Sequence, residues 1–374
     1  MSRLEELIKK LCPNGVEYRK IDEFIEYVQP TRYIVSNTKY DDSYSIPVLT
    51  AGQSFILGYT NEDYGIYQAN KKNPVIIFDD FTAGFHWVDF PFKVKSSAMK
   101  ILVSKNNINF RFFYHIMGLI NYESNEHTRL WIGTYSQFRI PVPPLEVQNE
   151  IVRILDNFTE LTAELTAELT ARKKQYEYYR DTLLTFEDSV EFIDLENLCD
   201  ICTGSSNTSD SNDDGEYPFF VRSPEPLKKN TFEFDDEAII TAGDGVGVGK
   251  VFHYINGKYA LHQRAYRIHP ISSKINGRYL FHYFRAVFPK YINKKMYEGS
   301  VPSIRRPMLN EFLVAVPSLI VQKRIVDILD NFEAICSDLS IGLPAEIEAR
   351  QKQYEYYRDL LLTFPENIGG GGVI

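Results

Sequence analysis

Four groupings in this 374-residue sequence carry residue types that could do chemistry, and each falls short of what that chemistry requires. The glycine run Ala242-Gly243-Asp244-Gly245-Val246-Gly247-Val248-Gly249-Lys250 invites a phosphate-cradling reading. A P-loop needs glycine where Asp244 stands and a hydroxyl residue where Val251 stands. The flanking runs also read as strands, so no helix N-terminus faces the phosphates. Cys199 and Cys202 form a lone CxxC, and Cys12 and Cys336 do not supply the second pair that a zinc site takes; two small core residues are expected instead. Asp79-Asp80 has no His, Asp or Glu partner at ligand spacing and reads as a turn or strand end. The one Pro-Pro pair, Pro143-Pro144, lies between Val142 and Leu145, so the Pro-Pro-aromatic motif that holds a target amine in amino-methyltransferases is missing. No lysine has an acid two residues before it, which removes the Asp/Glu-x-Lys half of a common nuclease metal site. No catalytic residue, metal site or cofactor is expected.

Binding chemistry remains. The net charge of −9 argues on its face against nucleic acid, but the charges are segregated. Gly245 to Val316 holds twelve Lys/Arg against two acids, whereas Asp200 to Asp244 holds eleven acids against three bases. Clustering of this kind is expected of a local phosphate-binding face. The basic residues interleave with aromatics and small polar groups that can contact phosphates or read base edges. The candidates in this stretch are Lys250, Arg264, Arg267, Lys294, Lys295, Ser300, Ser303, Arg305 and Arg306. An earlier, milder stretch, Lys71 to Arg139, holds nine Lys/Arg against five acids and offers Lys71, Lys72, Lys93, Lys95, Arg129 and Tyr135.

The elements that must position these residues come in two copies. VQNEIVRILDNF at 147–158 recurs as VQKRIVDILDNF at 321–332, with nine of twelve identities. RKKQYEYYRDTLLTF at 172–186 recurs as RQKQYEYYRDLLLTF at 350–364, with thirteen of fifteen. Fainter echoes, Val16-Glu17-Tyr18 against Val190-Glu191-Phe192 and Pro143-x-Leu145 against Pro317-x-Leu319, share one offset of 174 residues. The chain therefore alternates variable segment, near-identical helix, variable segment, near-identical helix. Ile151, Leu155, Phe158, Leu161, Leu165 and Leu169 step by three or four, and Tyr176, Tyr179 and Leu183 resume the stripe. About 40 residues of helix would run about 60 Å, and two such stripes most simply pack as an antiparallel coiled coil. Gly342 and Pro344 are expected to end one helix and restart another. In the variable segments, 73–82, 90–97, 237–244 and 249–261 read as strands, and 110–122 and 277–292 as helices. The fold class expected is α+β: two mixed α/β domains separated by two long helices, with pseudo-two-fold symmetry. The boundaries are an N-terminal helix 1–15, variable domain 16–142, helix 143–187, variable domain 188–316, helix 317–364, and a disordered tail 365–374. No apolar run approaches the roughly 20 residues of a membrane span, and the amphipathic N-terminus lacks the apolar centre of a signal peptide. With few cysteines and no export signal, the cytoplasm is the expected compartment.

Over essentially its full length the chain resembles the specificity subunits of type I restriction–modification systems. The resemblance is carried by two copies of PxLxVQ…IVxILDNF followed by ARxKQYEYYRDxLLTF, and by the ELTAELTAELTA tract at 160–171. It implies that the variable segments are target-recognition domains, each reading half of a split site on double-stranded DNA. It also implies that the shared helices are a spacer and a docking surface for two methyltransferase subunits, with restriction subunits joining the complex. Docking candidates on that reading are Gln148, Gln175, Tyr176, Tyr179 and Arg180 in the first copy. In the second they are Gln322, Gln353, Tyr354, Tyr357 and Arg358. A coiled-coil adaptor whose variable domains bind proteins is the alternative; the basic stretch favours DNA.

Overall fold

Each variable segment is opened and closed by a pair of short antiparallel strands in the same register, and these clasps lie 174 residues apart in the chain. The computed structural model describes residues 2–52, 54–105, 107–120, 122, 128–187, 190–295, 302–338 and 340–367. The chain forms two compact units, one from residues 1–164 with 348–374, the other from residues 165–347.

The first unit begins with helix α1 (Arg3–Leu11), capped by the Ser2–Glu5 capping box. Strands β1 (Glu17–Lys20), β2 (Ile25–Val28), β3 (Ile46–Leu49), β4 (Ile56–Thr60), β5 (Val75–Asp79), β6 (Phe85–Val88), β7 (Lys93–Val94) and β8 (Met99–Ser104) come next. Helix α2 (Phe110–Met117) and strand β9 (Arg139–Val142) complete the segment. β1 and β9 make the clasp, with Glu17 opposite Val142. A four-stranded antiparallel sheet runs β2-β8-β5-β6, and a three-stranded mixed sheet runs β4-β3-β7, with β3 and β7 parallel. β5, with Val75 to Phe78 buried on both faces, is one of the two central strands of the four-stranded sheet, beside β8. The expected strands at 73–82 and 90–97 are shorter, β5 and the two-residue β7, and the expected helix at 110–122 ends at Met117. Helix α3 (Leu145–Leu183) then runs 39 residues, and its buried residues all fall in its first three turns, Val147 to Leu155.

The second unit holds β10 (Glu191–Asp194), α4 (Leu195–Leu198), β11 (Cys199–Thr203), β12 (Tyr217–Phe220), β13 (Leu227–Lys229), β14 (Phe234–Ala242), β15 (Phe252–Leu261) and β16 (Ala265–Pro270). Then come α5 (Gly277–Lys295), α6 (Arg306–Asn310), β17 (Leu313–Val316) and α7 (Leu319–Ser337). β10 and β17 form its clasp, Glu191 opposite Val316. One six-stranded sheet runs β11-β16-β14-β15-β12-β13, with β14 in its interior and α5 packed on it. Helix α8 (Leu343–Leu361) starts just past Gly342 with Pro344 in its first turn, as the sequence predicts. The chain end is not wholly a free tail. Val16 N–H donates to Pro365 O and Asn367 N–H to Val16 O, each at 2.9 Å, so Pro365 to Asn367 extend the first clasp; residues 368–374 lie outside the described residues.

Cys199 is buried and its thiol is pushed up to about 12 by desolvation, which suits a core residue and not a metal-binding thiolate. Asp79 caps its own turn, accepting from Phe81 N–H and Thr82 N–H. Gly245 and Gly249 both take positive φ, so the glycine run serves a tight loop after β14.

Candidate nucleic-acid interface

The basic candidates divide sharply by burial. In the first unit Lys71, Lys72 and Lys95 are exposed, and Arg129 is about half exposed. In the second unit Lys250, Arg264, Ser303, Arg305 and Arg306 are exposed; so are Lys294 and Lys295 at the end of α5, where Lys295 pairs with Glu311. Ser300 lies outside the described residues.

Three DNA-binding candidates require correction. Lys93 is fully buried: its ammonium donates to Tyr64 O at 2.8 Å and lies 2.8 Å from Glu62. Arg267 is 5% exposed and clamped between Asp200 and Asp236, at 2.8 and 2.5 Å. Tyr135 is packed among Phe78, Trp131 and Phe138, and burial raises its hydroxyl above the ordinary tyrosine value. None of these three presents a charge or a donor to solvent. The basic stretch is also less one-sided than its count suggests. Lys274 pairs with Glu191, Arg278 with Asp330 and Glu333, and Arg285 with Glu333, all acids from outside the stretch.

The variable segments are fixed to the shared helices by one constellation used twice. In the first unit Asn109 caps α2, and its N–H donates to Gln148 Oε1 at 2.8 Å, while Gln148 Nε2 donates to Pro143 O. Arg111 Nε donates to Asp156 Oδ1 at 2.8 Å, and His115 Nε2–H donates to the same oxygen at 2.9 Å. In the second unit Asn276 N–H donates to Gln322 Oε1 at 2.8 Å, Arg278 Nε to Asp330 Oδ1 at 2.9 Å, and His282 Nε2–H to that oxygen at 2.7 Å. Both imidazoles are fully buried, and desolvation holds them below the ordinary histidine value even beside a carboxylate. With Nε2 protonated, His115 Nδ1 accepts from Tyr354 OH at 2.9 Å. His282, Asp330 and Glu333 converge closely enough to suggest a metal site, but Arg278 and Arg285 already neutralise the two carboxylates. The cluster is a clamp.

The clamp is not marked by one repeat offset, because Asn-x-Arg-x-x-x-His at 109–115 recurs at 276–282 with an offset of 167, while the LDNF helices keep 174 and the YEYY helices 178. Gln148 and Gln322, expected on a docking surface, are 1% and 0% exposed and belong to this clamp instead. Both amides are buried and bonded to their own chain, Gln322 donating to Lys274 O and Pro317 O and Gln148 to Pro143 O, which places them out of a partner's reach.

Residues 13–172 and 187–349, most of the chain, each match the type I restriction modification DNA specificity domain. The specificity subunit of the type I restriction enzyme EcoR124I/EcoR124II of Escherichia coli is 40% identical, with 98% of both chains aligned. This chain belongs to the type I specificity subunit family. A putative type I restriction enzyme specificity subunit of Haemophilus influenzae is 30% identical over 96% of this chain and 98% of its own. Among solved structures, the S subunit of a type I restriction–modification system from M. genitalium superposes with a TM-score of 0.62 at 14% identity, covering 94% of this chain and 97% of that one. As a specificity subunit, the chain is a non-catalytic component of a type I restriction–modification complex that recognises the DNA target.

In this specificity subunit the repeated helices make matching aromatic contacts. Phe158 of the first copy stacks on Tyr357 of the second at 5.2 Å, and Phe332 of the second stacks on Tyr179 of the first at 5.5 Å. Each copy of the LDNF helix thus meets the YEYY helix of the other copy, once within each unit. The pairing is antiparallel in the second unit: Tyr176 and Tyr179 lie on Phe332, while Lys173 and Arg172 lie toward Cys336. Among the remaining docking candidates, Gln353 is exposed, Tyr179 and Tyr357 are 36% and 39% exposed, and Gln175, Tyr176, Arg180, Tyr354 and Arg358 are partly buried. Tyr354 is turned inward onto His115. Among the described residues no helix is long and apolar enough to cross a membrane.

Proposed function

We propose that this specificity subunit reads a bipartite target on double-stranded DNA, residues 16–142 addressing one half and 188–316 the other. The helices 143–187 and 317–364 set the distance between the halves and dock two methyltransferase subunits, which restriction subunits join; the complex acts in the cytoplasm on the DNA there. The observation that carries this reading is the duplication itself. Two variable segments, each closed by the same clasp and fixed by the same Asn–Gln and Arg–His–Asp clamp, hang on helices that pack reciprocally. Such a frame holds two readers of different sequence in equivalent settings, which suits a split, asymmetric site. Exposed Lys71, Lys72, Lys95 and Arg129 on the first unit and Lys250, Arg264, Lys294, Lys295, Ser303, Arg305 and Arg306 on the second supply phosphate and base contacts. The exposed edges of the YEYY helices, Gln353, Tyr179 and Tyr357 among them, are the docking surface.

The test is to purify the chain alone and together with its methyltransferase partner, and to assay both on genomic DNA. The chain alone should transfer no methyl group, cleave no DNA and hydrolyse no ATP. The complex should methylate one split sequence. Methyl transfer by the isolated chain would contradict the reading.

A further inference from the structure

In both units an aspartate stands just past the C-terminal end of a central strand, Asp80 after β5 and Asp244 after β14. The segment that leads back to the clasp returns to each of them. Leu130 N–H donates to Asp80 O at 2.8 Å and Trp131 N–H to Asp80 Oδ1 at 2.9 Å. Gly245 N–H donates to Pro302 O at 2.9 Å and Ile304 N–H to Gly243 O at 2.7 Å. Leu130 and Ile304, both buried, are 174 residues apart, the repeat offset of the clasps. Each aspartate then has arginine beside it at the surface. Asp80 Oδ2 lies 3.5 Å from buried Lys100 Nζ and 3.9 Å from Arg129 Nη1, an ion pair without a hydrogen bond, and the Arg129 side chain is 53% exposed. Arg222 Nη1 lies 2.5 Å from Asp244 Oδ1 and Arg264 Nη1 3.2 Å from Oδ2, their side chains 40% and 60% exposed. The arginines come from different places in the two units, Arg129 from the returning segment, Arg222 from the end of β12, and Arg264 from the turn before β16. The carboxylate stays in place while the arginine beside it changes.

From this geometry we infer that Arg129 in the first domain, and Arg264 with Arg222 in the second, are base-reading residues that select G·C pairs from the major groove. The inference rests on the half-site assignment proposed above. A guanidinium has a planar fork of five donors. Asp244 accepts from one Nη1 of each of Arg222 and Arg264, and Asp80 draws Arg129 by charge alone, which restrains each guanidinium and leaves its other donors for the O6 and N7 acceptors of guanine. A phosphate contact gains nothing from this arrangement, because a carboxylate beside the arginine repels the phosphate it would bind. Lys71, Lys72, Arg305 and Arg306 have no ion-pair partner among the described residues and suit the phosphates instead.

The test assembles Arg129→Ala, Arg222→Ala and Arg264→Ala subunits with the methyltransferase partner and maps the methylated sites genome-wide. Matching lysine variants keep the charge but lose the fork. Arg264→Ala and Arg264→Lys should both relax a G·C letter in one half-site, with discrimination there falling roughly ten- to a hundredfold, and leave the other half unchanged. Arg222→Ala should relax a letter in that same half, and Arg129→Ala and Arg129→Lys a letter in the opposite half only. Lower methylation with every letter retained, or lysine variants that keep every letter, would overturn the inference and assign these arginines to phosphates, with the half-site assignment intact. Letters relaxing in both halves from one substitution would instead overturn the half-site assignment itself.

Discussion

Arg267 and Arg264 lie three residues apart in one basic run, yet one is buried on two aspartates and the other faces solvent. The sequence shows the residue types at these positions and not their partners, which come from 31 or 67 residues away. Lys93 and Tyr135 were hidden for the same reason: a basic or phenolic side chain in a strand-rich segment carries no mark of which face it takes. The buried glutamines are more consequential. Gln148→Ala orphans a backbone N–H and one carbonyl, and Gln322→Ala a backbone N–H and two carbonyls, at the joint between a variable domain and its helix. Each should lower stability by about 1–3 kcal/mol in urea denaturation; a change within error would mean that water replaces the amide. For DNA binding, Arg305→Glu with Arg306→Glu should flatten the salt dependence by roughly one unit of slope for each phosphate no longer neutralised. An unaltered slope in a folded complex would leave these arginines idle. The two clamp histidines add a pH dependence. Burial holds both below the ordinary value, against the opposing pull of Asp156 and Asp330 and with Arg111 and Arg278 alongside. The unfolded chain therefore takes up protons first. Stability is fully present above about pH 6.5 and is lost as the pH falls from there toward the depressed folded values. The melting temperature should drop between about pH 7.5 and 5.5, and His115→Gln with His282→Gln should reduce that slope, leaving what His253 and His262 contribute. An unchanged slope would exclude the clamp as its source.

At the scale of elements, the long helices and the paired clasps were legible because their signal is repetition, which does not depend on knowing any contact. The central strands β5 and β14 were legible as β-branched apolar runs. The length of β7 and the end of α2 were not, since both are set by packing partners and not by local pattern. Helix α3 makes a separate prediction. Its ELTA tract, 160–171, keeps Leu161, Leu165 and Leu169 half-buried with no fully buried residue, so the tract holds helix without filling a core. Deleting one four-residue unit shortens the helix by about 6 Å and rotates the remainder of the helix by about 40°. The rotation is close to the twist of one base pair, the rise to nearly two, given about 10 base pairs per turn. Removing or adding one unit should therefore change the unread gap between half-sites by one base pair, two at most, with the half-sites unchanged. Methylation mapping of two-unit and four-unit variants checks this; an unchanged gap in active variants would make the tract ordinary helix.

At the scale of the whole molecule, the proposed specificity is modular: two readers, one frame, and chemistry supplied by other chains. The alternation of variable and repeated segments made the architecture legible from sequence, and the absent catalytic motifs pointed away from an enzyme. The offset-shifted clamp, Asn109 on Gln148 and Asn276 on Gln322, is a three-dimensional feature with no single repeat offset to mark it in the sequence. The most direct measurement exploits that joint. Residues 193–316 are exchanged for the corresponding segment of another family member, the complex is assembled with its methyltransferase partner, and methylated sites are mapped across a genome. Modular reading predicts that one half of the recognised sequence changes while the other half and the gap stay as they were. A change in both halves together, or in neither, would contradict it.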